Sequence, residues 1–196
     1  TIFDTLNAKA AIDAAMSENR RHGTDLPIMV SVSVNDLAGR TLSGQTLEAF
    51  LASISSYPIF SVGLNCSFGA LQLKPYVKEL GEKAPYYISV YPNAGLPNEL
   101  GLYDETADSM APEIAEFIDE GLVNIVGGCC GTTDEFIARF AELAEGKKPH
   151  AVAKPYDHML LSGLELHEVV DSASEQVATF NNVGERCNVA GSRKFL

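Results

Sequence analysis

The chain has 196 residues, of which 46% are hydrophobic and 20% charged, enough for one ordinary domain with a buried core. Its 26 acidic residues against 14 basic ones give a net charge of −12, which argues against nucleic acid or an anionic membrane surface as a partner. No apolar run approaches the ~20 residues that cross a bilayer and no signal peptide opens the chain, so we expect a cytoplasmic protein without a membrane partner.

The hydrophobic pattern predicts alternating helices and strands. A short stub of strand at Ile2 and Phe3 precedes a helix over residues 5–19, with Asp4 or Thr5 as its N-cap. The predicted strands are residues 27–34, 60–65, 86–91 and 122–126, and the helices that follow them are residues 46–55, 70–82, 107–120 and 133–145. The strand starts at 27, 60, 86 and 122 are separated by 33, 26 and 36 residues, which is typical of parallel βα units whose strands are buried on both faces.

Parallel βα units form either an open doubly wound sheet or a closed (β/α)8 barrel. No GxGxxG or GxxxxGK[ST] motif follows any predicted strand. Polar or reactive residues stand at the carboxyl end of each strand, where a barrel builds its active site: Asn35 and Asp36, Asn65 and Cys66, Pro92 and Asn93, and Cys129 and Cys130. The sequence therefore predicts an α/β fold, the C-terminal half of a TIM barrel. Because half a barrel leaves open sheet edges and the chain begins at Thr1, we expect it to be cut from a longer protein.

The βα pattern ends after Glu145. Two prolines within residues 146–155 and weak periodicity beyond them predict a linker. We therefore predict three parts: the half barrel over residues 1–146, the linker over 147–179, and the start of a second domain over 180–196.

Three of the four cysteines lie at the ends of two predicted strands. Cys66, Cys129 and Cys130 could meet at the mouth of the barrel, and the glycines on both sides of the cysteine pair permit the sharp turn that this requires. In a reducing compartment such cysteines are metal ligands, nucleophiles or buried apolar residues rather than disulfides. Three thiolates with one open position make a catalytic-type zinc site, whereas four closed ligands make a structural one.

The cysteine motif resembles a known signature. Residues 124–133, NIVGGCCGTT, preceded by GLNC at residues 63–66, resemble the zinc signature of the homocysteine S-methyltransferase family. The stretches 1–10, 39–46 and 91–98 are similar to the cobalamin-dependent branch of that family. The tail, residues 182–195, resembles the opening of the methyltetrahydrofolate-binding (pterin-binding) barrel of that branch.

The resemblance implies an activity and its cofactors. Zinc held by Cys66, Cys129 and Cys130 would bind homocysteine through its sulfur, and the sulfur would take a methyl group from methylcobalamin. Cobalamin and methyltetrahydrofolate domains of the same full-length protein are the implied partners, so we expect this chain alone to be catalytically silent. The alternatives are a relative with another methyl donor and a non-catalytic module with a structural zinc. A fourth Cys or His ligand would favour the structural module, and none lies at a predicted strand end.

Several further residues have two interpretations. The resemblance implies that the Asn93 amide oxygen is a fourth zinc ligand, but Asn93 also suits the turn that follows its strand. Asp4 is either a contact for the homocysteine ammonium or a helix cap. By resemblance Asn188 binds the pterin, and Cys187 replaces a threonine usual in the family, which predicts a buried or half-buried thiol. The histidines are predicted to be solvated: His22, His150, His158 and His167.

Overall fold

The computed structural model describes residues 1–169 of the chain. Its elements in chain order are α1 (Thr5–His22), β1 (Met29–Val32), α2 (Leu47–Ile54), β2 (Ser61–Asn65), α3 (Ala70–Lys83), β3 (Tyr87–Tyr91), α4 (Ala107–Asp119), β4 (Ile125–Val126), α5 (Asp134–Ala144), β5 (Met159–Ser162) and β6 (Leu166–Val169). Within this part of the chain, none of the helices combines the length and apolarity needed to cross a membrane.

The predicted helices and strands of the first 145 residues are confirmed, with shifted boundaries. Helix α1 runs three residues past its predicted end at residue 19 and stops at Gly23, whose φ of 63° is left-handed and whose N–H bonds back to Arg20 O. Strand β4 is shorter than residues 122–126 because the Leu122 N–H donates to Phe117 O, 2.9 Å away, and so closes the end of α4.

The strands pair in parallel in the order β1-β2-β3-β4. The predicted stub adds to the outer side of β1, since the Ile2 N–H donates to Ser31 O at 2.8 Å and the Ser33 N–H donates to Ile2 O at 2.9 Å. A doubly wound sheet reverses its strand order at a switch point, whereas a barrel keeps neighbours in chain order. The observed order is compatible with a partial α/β barrel.

The two faces of the sheet differ in chemistry. One face is apolar and packs in the core with the helices: Val30, Val32, Val62, Leu64, Ile88 and Val90. Alternate positions of the strands carry small or polar residues: Ser31, Ser33, Ser61, Gly63, Asn65 and Ser89. Strand β2 is buried on both faces as predicted, but β1 and β3 expose Met29 (48%) and Tyr87 (43%) on this second face.

A hairpin lies inside the segment predicted to be a linker. Strands β5 and β6 pair antiparallel and dock on α2, where the Ser162 hydroxyl donates to Ala49 O at 2.5 Å and the Thr46 N–H donates to Leu164 O at 3.0 Å. Arg40 forms an ion pair with Glu165 at 2.5 Å. Residues 159–169 are therefore folded against the first domain. The start of the second domain at residues 180–196, with Cys187 and Asn188, lies outside the described residues.

The prediction of a solvated His150 is wrong. Its ring nitrogens lie 2.8 Å from Gly121 O and 3.0 Å from Gly81 O, and its N–H donates to Val123 O at 3.0 Å. The ring fits because Gly81 has no side chain; a Cβ there would come within 3.1 Å of the ring. Of the other three, His22 is exposed beside Glu18 and His167 is exposed on β6, whereas His158 is half-buried between Asp157 and Glu168 and so is not simply solvated.

Candidate metal centre

The ladder of the sheet continues past the strands to the cysteines. The Cys66 N–H, just after β2, donates to Tyr91 O at 3.0 Å, and the Cys129 N–H, three residues after β4, donates to Pro92 O at 2.8 Å. Main-chain hydrogen bonds to the β3 segment therefore fix the backbone of both cysteine-bearing loops.

The three thiols meet at this edge of the sheet. Cys66 Sγ lies 3.5 Å from Cys130 Sγ, which lies 3.9 Å from Cys129 Sγ, and all three sulfurs are within 4.8 Å of one another. Tetrahedral zinc with Zn–S bonds of about 2.3 Å sets its sulfurs about 3.8 Å apart, so the spacing fits this ion. Within residues 1–169, no second group of three Cys, His, Asp or Glu side chains is close enough to share a metal.

The turn that presents Cys66 is strained. Cys66 and Ser67 have φ values of 62° and 64°, in the left-handed region that residues with a side chain rarely adopt. The Phe68 N–H donates to Cys66 O at 2.7 Å, and the Ser67 hydroxyl lies 2.6 Å from that of Ser33. Such a residue costs on the order of 1–3 kcal/mol and persists where the surroundings hold it, commonly at functional sites.

The glycines of the cysteine loop act mainly by leaving space. A Cβ at Gly127 would lie 2.6 Å from the Tyr91 ring, and one at Gly128 would lie 2.3 Å from Thr132 Oγ1. Only Gly131 of these three has a left-handed φ, 82°. The prediction that glycines on both sides of the cysteine pair turn the chain therefore holds for Gly131 and is wrong for Gly127 and Gly128.

Asn93 is bound to the backbone of the cysteine loop. The residue is buried, with 4% exposed, and its Oδ1 accepts a hydrogen bond from the Cys130 N–H at 3.1 Å. The Ala94 N–H donates to Cys130 O at 2.9 Å, so the two loops are tied in both directions. Asn93 thus stabilises the site's backbone, and its role as a fourth ligand stays a prediction.

Asp4 caps α1, as one of its two interpretations predicts. Its Oδ1 accepts from the Asn7 N–H at 2.9 Å. The residue also lines a cleft of about 650 Å³ together with Gln45 and Leu164, and none of the three clustered cysteines lines that cleft. The predicted contact with the homocysteine ammonium remains a prediction.

Sequence reasoning missed Tyr103. Its side chain covers Gly131, beside Cys130, where an added Cβ would lie 2.5 Å from Tyr103 Cβ. Tyr103 stands ten residues beyond Asn93 in a connecting loop, so a search for polar residues at strand ends could not find it. The glycine that follows the cysteine pair was the one available sign that another group lies close.

Two of the three thiols have a shifted pKa. The neighbouring Cys66 thiol, 3.5 Å away, and then Tyr103 lower the pKa of Cys130, whereas burial, followed by the interaction with Cys66, raises the pKa of Cys129 to about 11. The nearby Cys130 thiol is the main cause of a raised Tyr103 pKa. Without a metal Cys130 therefore ionises before Cys129, and a divalent cation would favour loss of the remaining protons.

Fold and site together define a class: α/β proteins that gather reactive thiols at the carboxyl edge of parallel strands. The family profile of homocysteine S-methyltransferase matches residues 1–144, a span that includes all four parallel strands and the three clustered cysteines. The chain belongs to the homocysteine S-methyltransferase family, which confirms the resemblance of the cysteine motif. Membership implies a methyltransferase and indicates homocysteine as the methyl acceptor.

Proposed function

We propose that this chain is the zinc- and homocysteine-binding part of a cobalamin-dependent methionine synthase. The observation that carries the proposal is the cluster of Cys66, Cys129 and Cys130, whose sulfur separations suit zinc. Three protein ligands leave one tetrahedral position for a substrate sulfur, which is the arrangement of a catalytic zinc site.

Zinc would act on the acidity of the substrate. A free thiol has a pKa of about 8.5, so little of it is ionised at neutral pH. Bound zinc would supply the positive charge that favours the thiolate, which is the nucleophile needed for methyl transfer. The chain's own residues hold the geometry: Asn93 fixes the Cys130 backbone, and Tyr103 packs against the adjacent Gly131. Asp4 is our candidate contact for the substrate ammonium.

The methyl donor is proposed from sequence resemblance. The similarity of residues 182–195 to the start of a methyltetrahydrofolate-binding barrel supports methylcobalamin, recharged from methyltetrahydrofolate, over other donors. In this proposal residues 180–196 begin the pterin-binding domain, with Asn188 as a pterin contact, and another domain of the full-length protein carries cobalamin.

The sheet is proposed to be the C-terminal half of a TIM barrel over residues 1–146. Neighbouring strands follow chain order, and the face without helices carries small polar residues together with the exposed Met29 and Tyr87. Further βα units paired at the open edges of the sheet would close it into a barrel and enclose this face with those two side chains.

Zinc content tests the site directly. Purified chain is expected to hold close to one zinc ion, and Cys66→Ser, Cys129→Ser and Cys130→Ser are each expected to lose it, as measured by elemental analysis after dialysis. Cys187→Ser is the matched control, because that cysteine is not a proposed ligand, and it should keep the zinc. Full zinc retention in Cys130→Ser would contradict the proposed site.

A further inference from the structure

A left-handed turn between β2 and α3 directs Cys66 towards the other two clustered cysteines. Cys66 and Ser67 have φ values of 62° and 64°, which are unfavourable for residues with a side chain. Main-chain bonds hold the two ends of the turn: the Cys66 N–H donates to Tyr91 O at 3.0 Å, and the Asn93 N–H donates to Phe68 O at 3.0 Å. The middle of the turn, at Ser67, needs a restraint of its own to stay left-handed.

That restraint comes from the neighbouring strand. The Ser67 hydroxyl lies 2.6 Å from the hydroxyl of Ser33, the residue that directly follows β1. Ser33 is 6% exposed, and its N–H donates to Ile2 O at 2.9 Å, so its own backbone is fixed in the sheet. With the two hydroxyls in contact, Cys66 Sγ lies 3.5 Å from Cys130 Sγ.

We propose that Ser33 is a positioning residue of the metal centre, because its hydroxyl holds the left-handed turn that presents the Cys66 sulfur. The inference rests on the proposed zinc site. Without the hydroxyl contact, Ser67 would also populate right-handed conformations, in which the Cys66 sulfur moves away from its partners. The apparent affinity for a metal falls in proportion to the fraction of protein that has all three sulfurs in place.

The test combines Ser33→Ala with Ser67→Gly. We expect Ser33→Ala to lower zinc affinity about tenfold, measured by competition with a chromophoric chelator, because one net hydrogen bond no longer favours the turn. Glycine adopts the left-handed conformation without a steric cost, so the double variant that adds Ser67→Gly should recover most of the lost affinity. A role of Ser33 in general stability predicts the opposite, since the second substitution would then weaken the fold further.

Ser53→Ala is the matched control. The Ser53 hydroxyl donates to Ser162 Oγ at 2.8 Å, so this variant also breaks a contact between two serine hydroxyls, but on α2 and away from the cysteines. Its zinc affinity should equal that of the wild type. A loss as large as that of Ser33→Ala would overturn the specific role of Ser33.

The outcomes separate this inference from the proposed function. Wild-type protein that binds zinc, with Ser33→Ala equal to it or with no recovery on adding Ser67→Gly, overturns the role of Ser33 and leaves the zinc site standing. Wild-type protein that binds no zinc overturns both. Should Ser33→Ala fail to fold, Ser67→Ala and Ser67→Gly decide, because both remove the hydroxyl and only glycine removes the strain. Ser67→Ala should then bind zinc more weakly than Ser67→Gly, and equal affinities would reject the inference.

Discussion

Gly63 lies where β2 and β3 leave no room for a side chain. An added Cβ would lie 1.9 Å from Ser89 O, and a main-chain oxygen cannot rotate away. We expect Gly63→Ala to lower the free energy of unfolding by about 3 kcal/mol, measured by chemical denaturation, because the strand pair must shift to accept the methyl group.

Gly146→Ala is the control for Gly63→Ala. Gly146 has a left-handed φ of 70° and no atom within 4 Å of an added Cβ, so the cost there is conformational alone, about 1 kcal/mol. A larger loss of stability at Gly146 than at Gly63 would contradict the crowding between the strands.

At the residue scale, the sequence predicted those site residues whose chemistry is distinctive and which stand at the end of a recognisable strand. Cysteines at strand ends are an example, because parallel strands bring their carboxyl ends to one edge. Tyr103 and His150 were not predictable in this way. Each is placed by a distant glycine, Gly131 or Gly81, whose missing side chain makes room for the ring, and one sequence does not reveal which ring fills such a space.

Helix caps allow an element-scale test within this chain. Thr106 caps α4, and its Oγ1 accepts from the Ser109 N–H at 3.2 Å, whereas Thr133 caps α5 without a side-chain hydrogen bond. We expect Thr106→Ala to cost about 1 kcal/mol of stability in chemical denaturation. Thr133→Ala should cost only a few tenths, because it removes no capping bond. Equal losses in the two variants would mean that the capping bond of α4 contributes nothing.

The hairpin is expected to loosen as pH rises. His158 bonds Asp157 and, 3.1 Å away, Glu168 of β6; the bond with Asp157 is the main cause of its raised pKa. The folded state therefore favours the charged ring. This stabilisation is complete below the ordinary histidine pKa of about 6.5 and is lost as pH rises through the raised pKa.

Hydrogen exchange measures this loss. Amide protection of β5 and β6 should fall over that pH interval in the wild type, after correction for the intrinsic pH dependence of exchange. The variant His158→Gln should show no such fall. A corrected protection that does not change with pH in the wild type would contradict the role of the charged ring.

At the element scale, helices and parallel strands were predictable because each carries a long periodic pattern and a cap or turn residue. The hairpin was not, since its strands have only four residues each and dock on α2, which is distant in the sequence. Its docking depends on partners more than 100 residues away, such as Arg40 for Glu165 and Ala49 for Ser162.

At the scale of the whole molecule, we expect this chain to bind a metal ion without catalysing methyl transfer. All three thiols belong to loops after β2 and β4, which this chain contains, whereas the second face of the sheet leaves Met29 and Tyr87 exposed. We expect the chain to bind zinc as tightly as a version extended to a full barrel, but to transfer no methyl group from methylcobalamin to homocysteine. Assays of zinc content and methionine formation would compare the two; equal methyl-transfer rates would contradict the half-barrel proposal.

The parallel direction of the strands was predictable from connection lengths, and the family from the cysteine motif. Whether the sheet closes into a barrel depends on the elements that cover its second face. The periodicity of residues 1–146 does not identify those elements, and neither does the parallel pairing of four strands. The charge balance of −12 argues against nucleic acid and anionic membranes as partners but does not identify a partner.

The main-chain bonds that extend the sheet to Cys66 and Cys129 also have a kinetic meaning. Because main-chain bonds to Tyr91 and Pro92 hold both backbones, we expect the loops to be ordered before an ion arrives. Entry of the proposed zinc ion would then require proton loss and small side-chain rotations, and exchange of one ion for another would proceed on the native protein. We expect the speed of metal uptake to be set by ligand deprotonation and by access to the sulfurs, and a chelator to remove the ion while the surrounding backbone keeps its structure.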